Sequence, residues 1–235
     1  MTGLINGACA AGFDLDGTLI DSAPDIAAAA NAMLRSLGMR LLAESRFPAL
    51  IGDGVDQLVR RALSESQGTA PDTAQQEHAQ ALYKQLYGAR LFERSRVYPG
   101  VVAGLEALRA AGVRLCCVTN KAHEFVDPML AAAGLLDLFE FSLSPHHDSE
   151  RKPSPAMLLS ACSRLGSLPK EFVYVGDSRT DILAAHAAHC RAIAVDYGHQ
   201  REQLAELKPD AIIGSLVELT EARAHVPSGA APPGG

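Results

Sequence analysis

Asp14 and Asp16 stand two residues apart in FDLDGTLIDS, at the end of the apolar stretch CAAGF. A strand that stops at the edge of a sheet and ends in Asp-X-Asp-Gly-Thr can present a nucleophile and a proton donor on one loop, and can hold a metal ion against a phosphate. Gly17 and Thr18 let the chain turn there. The same residues also suit a turn with solvated acids.

Three later stretches supply what metal-assisted phosphoryl transfer needs, in a workable order. In RLCCVTNK, the apolar run Leu115 to Val118 reads as a buried strand that ends in Thr119, Asn120 and Lys121, so a hydroxyl and free N–H groups would face a phosphate. In ERKPSP, Lys152 precedes Pro153 and a helix that begins near Pro155. In FVYVGDSRTDI, the strand Phe172 to Val175 leads to Gly176, to Asp177 as a second metal carboxylate, and to Asp181 four residues on. Each has a plainer reading: VTN as an ordinary strand ending, Lys152 as a solvated helix-start residue, and GDSRTD as an N-cap in which Asp177 and Ser178 satisfy helix N–H groups. Order and spacing together favour the chemical reading.

FDLDGTLIDS, VTNK, RKPSP and VGDSRTD together resemble the signature set of the haloacid dehalogenase superfamily of phosphohydrolases over residues 9 to 220. DLDGTLIDSAPDI, LIGDGVDQLVRRAL, VYPGV and VTNK are similar, more narrowly, to bacterial phosphoglycolate phosphatases with a helical cap. The resemblance implies that Asp14 attacks phosphorus to form an aspartyl-phosphate, and that Asp16 protonates the leaving alkoxide and then activates water. It also implies Mg2+ held by Asp14, the Asp16 carbonyl and Asp177, with Ser178 and Asp181 around them. Thr119, the Asn120 N–H and Lys152 would neutralise the phosphoryl oxygens, with Lys121 beside them. Departures from the family pattern are Ala122-His123 after TNK, the loop SPHHDSE, and His189 where a helix-ending Gly is usual. His146, His147 and Asp148 in that loop read as a solvated turn rather than a metal cluster, because adjacent residues rarely converge on one ion.

The surrounding elements follow from periodicity. Residues 9–15 read as strand. Ser22-Ala-Pro-Asp25 has capping-box spacing, a helix follows over 23–37, and Gly38 stops it. Helices are expected over 55–65 and 71–87, with a surface turn between them and no strand before Pro99. From there helices (101–111, 123–133, 155–165) alternate with strands (113–118, 139–143, 172–176, 191–195, 211–213), which implies an α/β fold with a Rossmann-like parallel sheet covered by helices on both faces. The expected organisation is a core domain from 1–19 and 93–225, an α-helical cap domain at 20–92 after the first strand, and a disordered tail at 226–235. Within the cap, IGDGV places Gly52 and Gly54 at a helix start where free N–H groups suit an anion such as a carboxylate, or simply a turn. Arg60 and Arg61 follow, and a solvated surface suits them better than an inward role.

At 235 residues the chain can bury an α/β core and carry a small second domain. A net charge of −6 argues against nucleic-acid or anionic-membrane partners. The opening MTGLINGACAAGF has no basic leader, no apolar run reaches the ~20 residues of a membrane span, and five cysteines form no framework. These features predict a cytoplasmic enzyme, monomer or homodimer, acting on a small phosphorylated metabolite, foremost 2-phosphoglycolate. A sugar phosphate, including an N-acetylated sugar-acid phosphate, is the near alternative. A β-phosphoglucomutase-like mutase would use the same two aspartates, and a non-catalytic phospho-ligand binder is the remaining one. Dehalogenation leaves Asp16 and Asp177 without a role. Phosphonate cleavage needs a cap lysine, and the insert has only Lys84.

Overall fold

The computed structural model describes residues 3–200 and 204–221. Expectations for the tail at 226–235 and for the last residues of the core fall outside them. Six parallel strands form one sheet: β1 (Ala10–Phe13), β4 (Arg114–Val118), β5 (Ser142–Leu143), β6 (Phe172–Gly176), β7 (Arg191–Val195) and β8 (Ala211–Ile213), in the order β5-β4-β1-β6-β7-β8. The strands are apolar at both parities because both faces are covered. Ala11, Phe13, Leu115, Cys117, Val173 and Val175 pack with α4 (Val101–Ala110) and α5 (His123–Ala132). Cys116, Val118, Phe172 and Tyr174 pack on the other face with α6 (Ala156–Arg164) and α7 (Arg179–Ala187). The two adjacent cysteines of β4 therefore face opposite layers, and all five cysteines are free thiols.

Between β1 and β4 lies a helical insert with its own core. It contains α1 (Ala23–Ser36), a 3-10 segment (Glu44–Leu50), α2 (Val55–Gln67) and α3 (Thr73–Gly88), joined by Met33, Leu34, Phe47, Val59, Leu63, Tyr83 and Tyr87. Gly38 ends α1 in the left-handed region at φ 68, as expected of a C-cap glycine, and Met39 N closes back on Leu34 O. His189 likewise adopts φ 57 after α7 and the turn is kept, with Cys190 N donating to Ala185 O.

Two local expectations fail. A strand does precede Pro99: β2 (Ile20–Asp21) pairs antiparallel with β3 (Arg96–Val97) where the chain leaves and re-enters the sheet layer. Two-residue strands are too short to show a period in the sequence. The capping box at α1 also does not form, since Ser22 makes no side-chain cap. Asp25 turns away instead and accepts from Arg94 N at 2.8 Å, Ser95 N at 2.8 Å and Ser95 Oγ at 2.6 Å. This buried carboxylate thus ties the start of the insert to its end. Asp25→Ala is expected to leave those donors unpaired and to destabilise the protein by about 2 kcal/mol or more. Urea unfolding measures it, and a loss below about 0.5 kcal/mol would show the tie to be incidental.

Candidate active site

The three motif-bearing strands are neighbours: β4, β1 and β6 lie side by side at the centre of the sheet, and their carboxyl ends carry Thr119, Asp14 and Asp177. The chain builds outward from β1 in both directions, and such a switch point opens a crevice at the strand ends. Gly17 follows at φ +90, and a Cβ there would fall 2.2 Å from Asp177 Oδ2, so only glycine lets the first loop lie against the third.

Lys152 sits at the middle of this crevice with its side chain 1% exposed. Its Nζ donates to Asp14 Oδ1 at 2.8 Å, Asp181 Oδ1 at 2.6 Å and the Tyr174 hydroxyl at 2.7 Å. Tyr174 OH in turn donates to Val118 O at 2.6 Å. Ser178 donates to Asp181 Oδ2 from both N and Oγ, at 3.0 and 2.5 Å, so Ser178 caps α7 and orients Asp181 at once. The N-cap reading and the reading as a residue around the metal site describe one arrangement.

Asp14, Asp177 and Asp181 each offer an oxygen within 4.8 Å of the others, all buried. Burial pushes Asp14 up to about 7 against the pull of Lys152, with Asp181 and Asp177 adding to the rise. Burial and Asp181 likewise lift Asp177 to about 6. Asp177 also accepts from His199 N at 2.7 Å and lies 3.4 Å from Thr18 Oγ1. Carboxylates so reluctant to ionise, gathered around one point, form an all-oxygen donor set that suits a hard divalent cation. Asp181 is already engaged by Lys152 and Ser178, which leaves Asp14 and Asp177 as the available donors.

Asp16 lies in a different environment. Burial alone would raise its pKa, but Lys121 Nζ donates to both carboxylate oxygens at 2.9 and 3.1 Å and holds it below the usual range. Lys121 also donates to the Tyr87 hydroxyl of α3 at 2.8 Å, so this lysine touches Asp16 and the insert together. Asn120 bridges similarly. Its Nδ2 donates to Gly52 O and Lys152 O, both at 3.0 Å, and its Oδ1 accepts from Lys152 N at 2.9 Å.

Gly52 and Gly54 join Asp14, Asp16, Thr119 and Lys121 around a cavity of about 40 Å³ under the insert. Its far wall is apolar and aromatic, with Ile51, Val55, Leu58, Tyr83, Tyr87 and Phe125. Neither cap arginine reaches it: Arg61 pairs with Asp53 at 2.5 Å and Arg60 is exposed. Lys84 pairs with Glu124 at 2.8 Å, and His146, His147 and Asp148 lie on an exposed loop. The site residues that the sequence did not single out are Tyr174, Tyr87, Arg151 and His199. Tyr174 alone left a signal, a hydroxyl inside an otherwise apolar strand.

Asp14 binds its proton more tightly folded than unfolded, so between its ordinary value and about 7 its ionisation costs stability as pH rises. Metal-free protein should therefore lose stability relative to Asp14→Asn over that window. Urea midpoints from pH 4 to 7 test this, and parallel curves would contradict the shift.

The chain matches the family model of haloacid dehalogenase-like hydrolases over residues 10–189. It is 44% identical over 209 residues to a phosphoglycolate phosphatase of Nitrosospira multiformis, spanning 88% of this chain and 92% of that protein. It is 42% identical over 206 residues to the phosphoglycolate phosphatase of Thiobacillus denitrificans, spanning 87% and 91%. The crystal structure of a predicted phosphoglycolate phosphatase from Haemophilus somnus superposes with a TM-score of 0.85 at 35% identity, covering 90% of this chain and 96% of that one. With the acid cluster, the buried lysine and the sheet order already in place, these matches make the chain a member of the haloacid dehalogenase-like hydrolase family.

Proposed function

We propose that this protein is a magnesium-dependent phosphomonoesterase that hydrolyses 2-phosphoglycolate to glycolate and phosphate. The observation that carries the reading is Lys152, whose ammonium grips both Asp181 and Asp14, the latter a lining residue of the cavity under the insert. Residues 20–92 act as a cap domain, and residues 1–19 and 93–225 form the catalytic core. The relatives' shared name supports the substrate.

In this reading, Asp14 attacks phosphorus while Lys152 keeps its carboxylate in place. The P–O bond to Asp14 forms as the ester P–O bond breaks, and Asp16 gives its proton to the departing alkoxide. Asp16 then takes a proton from the water that cleaves the aspartyl-phosphate. Thr119 and the Asn120 N–H meet the equatorial oxygens. Asp14, the Asp16 carbonyl and Asp177 would hold Mg2+, which would supply electrophilic charge to the phosphoryl group. The incoming phosphate dianion opposes Lys121 and raises Asp16, so its proton arrives with the substrate. The protein works as a cytoplasmic enzyme. No helix among the described residues is long and apolar enough to cross a membrane. The phosphonate reading has no inward cap lysine to use, because Lys84 is spent on Glu124 at the surface.

Phosphate release should favour 2-phosphoglycolate over hexose phosphates, N-acetylated sugar-acid phosphates and nucleotides by about a hundredfold in kcat/KM. It should vanish with a chelator and fall at least about a thousandfold in Asp14→Asn. Preference for a sugar phosphate would move the substrate, and a rearranged sugar phosphate without free phosphate would replace hydrolysis by a mutase.

Lys121→Met removes the cation that holds Asp16 down. The alkaline limb of the kcat–pH profile, set by loss of the Asp16 proton, should then move to higher pH. An unmoved limb would remove Lys121 from the control of that acid.

A further inference from the structure

Arg151 precedes the catalytic lysine in sequence and lies at the seam between core and insert, with its side chain 21% exposed. Its Nη1 donates to the Asp53 carbonyl and, at 2.6 Å, to Asp56 Oδ1 in the first turn of α2. Its Nη2 reaches Asp148 at 2.9 Å, but that carboxylate is 87% exposed and adds little. The approach is close enough that a Cβ on Gly54 would lie 1.8 Å from Nη1. The loop it grips is held on either side by two further core side chains. Gln200 Nε2 donates to Ile51 O at 2.8 Å, and Asn120 Nδ2 to Gly52 O at 3.0 Å. Arg61, within the insert, braces the same loop through Asp53.

Three core donors thus take three successive carbonyls of the insert loop, Ile51, Gly52 and Asp53. Of these three donors, only Arg151 also makes a charge pair with the insert, to Asp56. Backbone continuity makes the grip consequential, because Arg151 is bonded to Lys152, whose own N and C=O are both clasped by Asn120. Docking of the loop and placement of the Lys152 ammonium between Asp14 and Asp181 are therefore parts of one connected framework.

We propose that Arg151 is a positioning residue which, by clasping Asp56 and the Asp53 carbonyl, latches the helical insert shut over the cavity and sets the lysine beside it. The proposal rests on the phosphatase reading for its kinetic consequence, but its structural half is independent of any substrate. A latch that acts through closure changes how much enzyme is in the competent closed form, and so the apparent affinity for substrate. Asp56 acts through Arg151, so once Arg151 is gone the loss of Asp56 costs nothing more.

The test is a double-mutant cycle on the full chain: Arg151→Gln, Asp56→Asn and the two combined. Arg151→Gln should lower kcat/KM on 2-phosphoglycolate about tenfold, mainly through KM, Asp56→Asn should cost part of that, and the double variant should be no worse than Arg151→Gln alone. Arg151→Lys, which keeps the charge but cannot fork to two acceptors, should fall between wild type and Arg151→Gln. Multiplying effects, or a loss confined to kcat, would overturn the latch. Amide hydrogen exchange without substrate gives the readout independent of activity. Arg151→Gln should speed exchange across residues 51–57 about tenfold while the sheet strands keep their protection. Unchanged exchange there would sink the proposal even if turnover fell. If wild-type protein releases no phosphate while exchange responds as expected, the substrate reading fails and the latch stands.

Discussion

Everything at the sheet's carboxyl end depends on one buried ammonium. Asp14, Asp177 and Asp181 bring three carboxylates into a space almost without solvent, and among the described residues Lys152 is the cation inserted among them. Desolvating such charges is costly unless every donor and acceptor is met. Lys152 meets the condition with Asp14, Asp181 and Tyr174, and Asp181 meets it with Ser178. These partners come from β1, β6 and the start of α7, so the charge cluster requires the central strands to be neighbours. Three carboxyl groups against one ammonium place an excess of acid there, which a divalent cation would offset. The raised values of Asp14 and Asp177 express that imbalance.

Asp14 and Asp16 are separated by one residue, yet their environments push them apart. Asp14 is buried among acids and lifted, whereas Asp16 is buried against Lys121 and lowered. Two carboxylates with different tasks need such a divergence. The strand geometry supplies it, since Asp14 continues β1 toward the acid cluster and Asp16 lies beyond it toward Lys121. Tyr87 completes the contrast by bringing a hydroxyl from α3 onto that lysine. Asp16 is therefore tied through Lys121 to the insert, whereas the side chain that grips Asp14, Lys152, belongs to the core.

The sheet and the chemical motifs were legible because both are local signals. Apolar runs of four or five residues ending in Asp, Thr or Gly-Asp mark buried strands and their exits, and β1, β4 and β6 follow them closely. The helices of the insert were readable from periodicity, with ends within about two residues. What failed was non-local. Asp25 has the spacing of a capping partner, but its acceptors are engaged by donors about seventy residues away. The β2–β3 ribbon exists only because two distant ends of the insert meet. Tyr87, Arg151 and His199 escaped for the same reason, as their partners are brought by the fold and not by the neighbouring sequence. Lys121 is an intermediate case: its motif placed it at the site, but only the structure shows its ammonium on Asp16 and not reserved for a ligand.

The insert and the core divide the work of recognition in a way the charges make plain. The insert's side of the cavity is Ile51, Val55, Leu58, Tyr83 and Tyr87, with no cationic side chain among them, and Arg60 and Arg61 lie elsewhere. Positive potential in the cavity comes from the Lys121 ammonium of the core, supplemented by the backbone at the start of α2. In the proposed reaction an anionic leaving group is therefore read for charge from the core side and for size from the insert side. Such a division lets the insert change what fits without disturbing the acid cluster, because the core donors beside it take the loop carbonyls of Ile51, Gly52 and Asp53 rather than bridging to Asp14, Asp177 or Asp181.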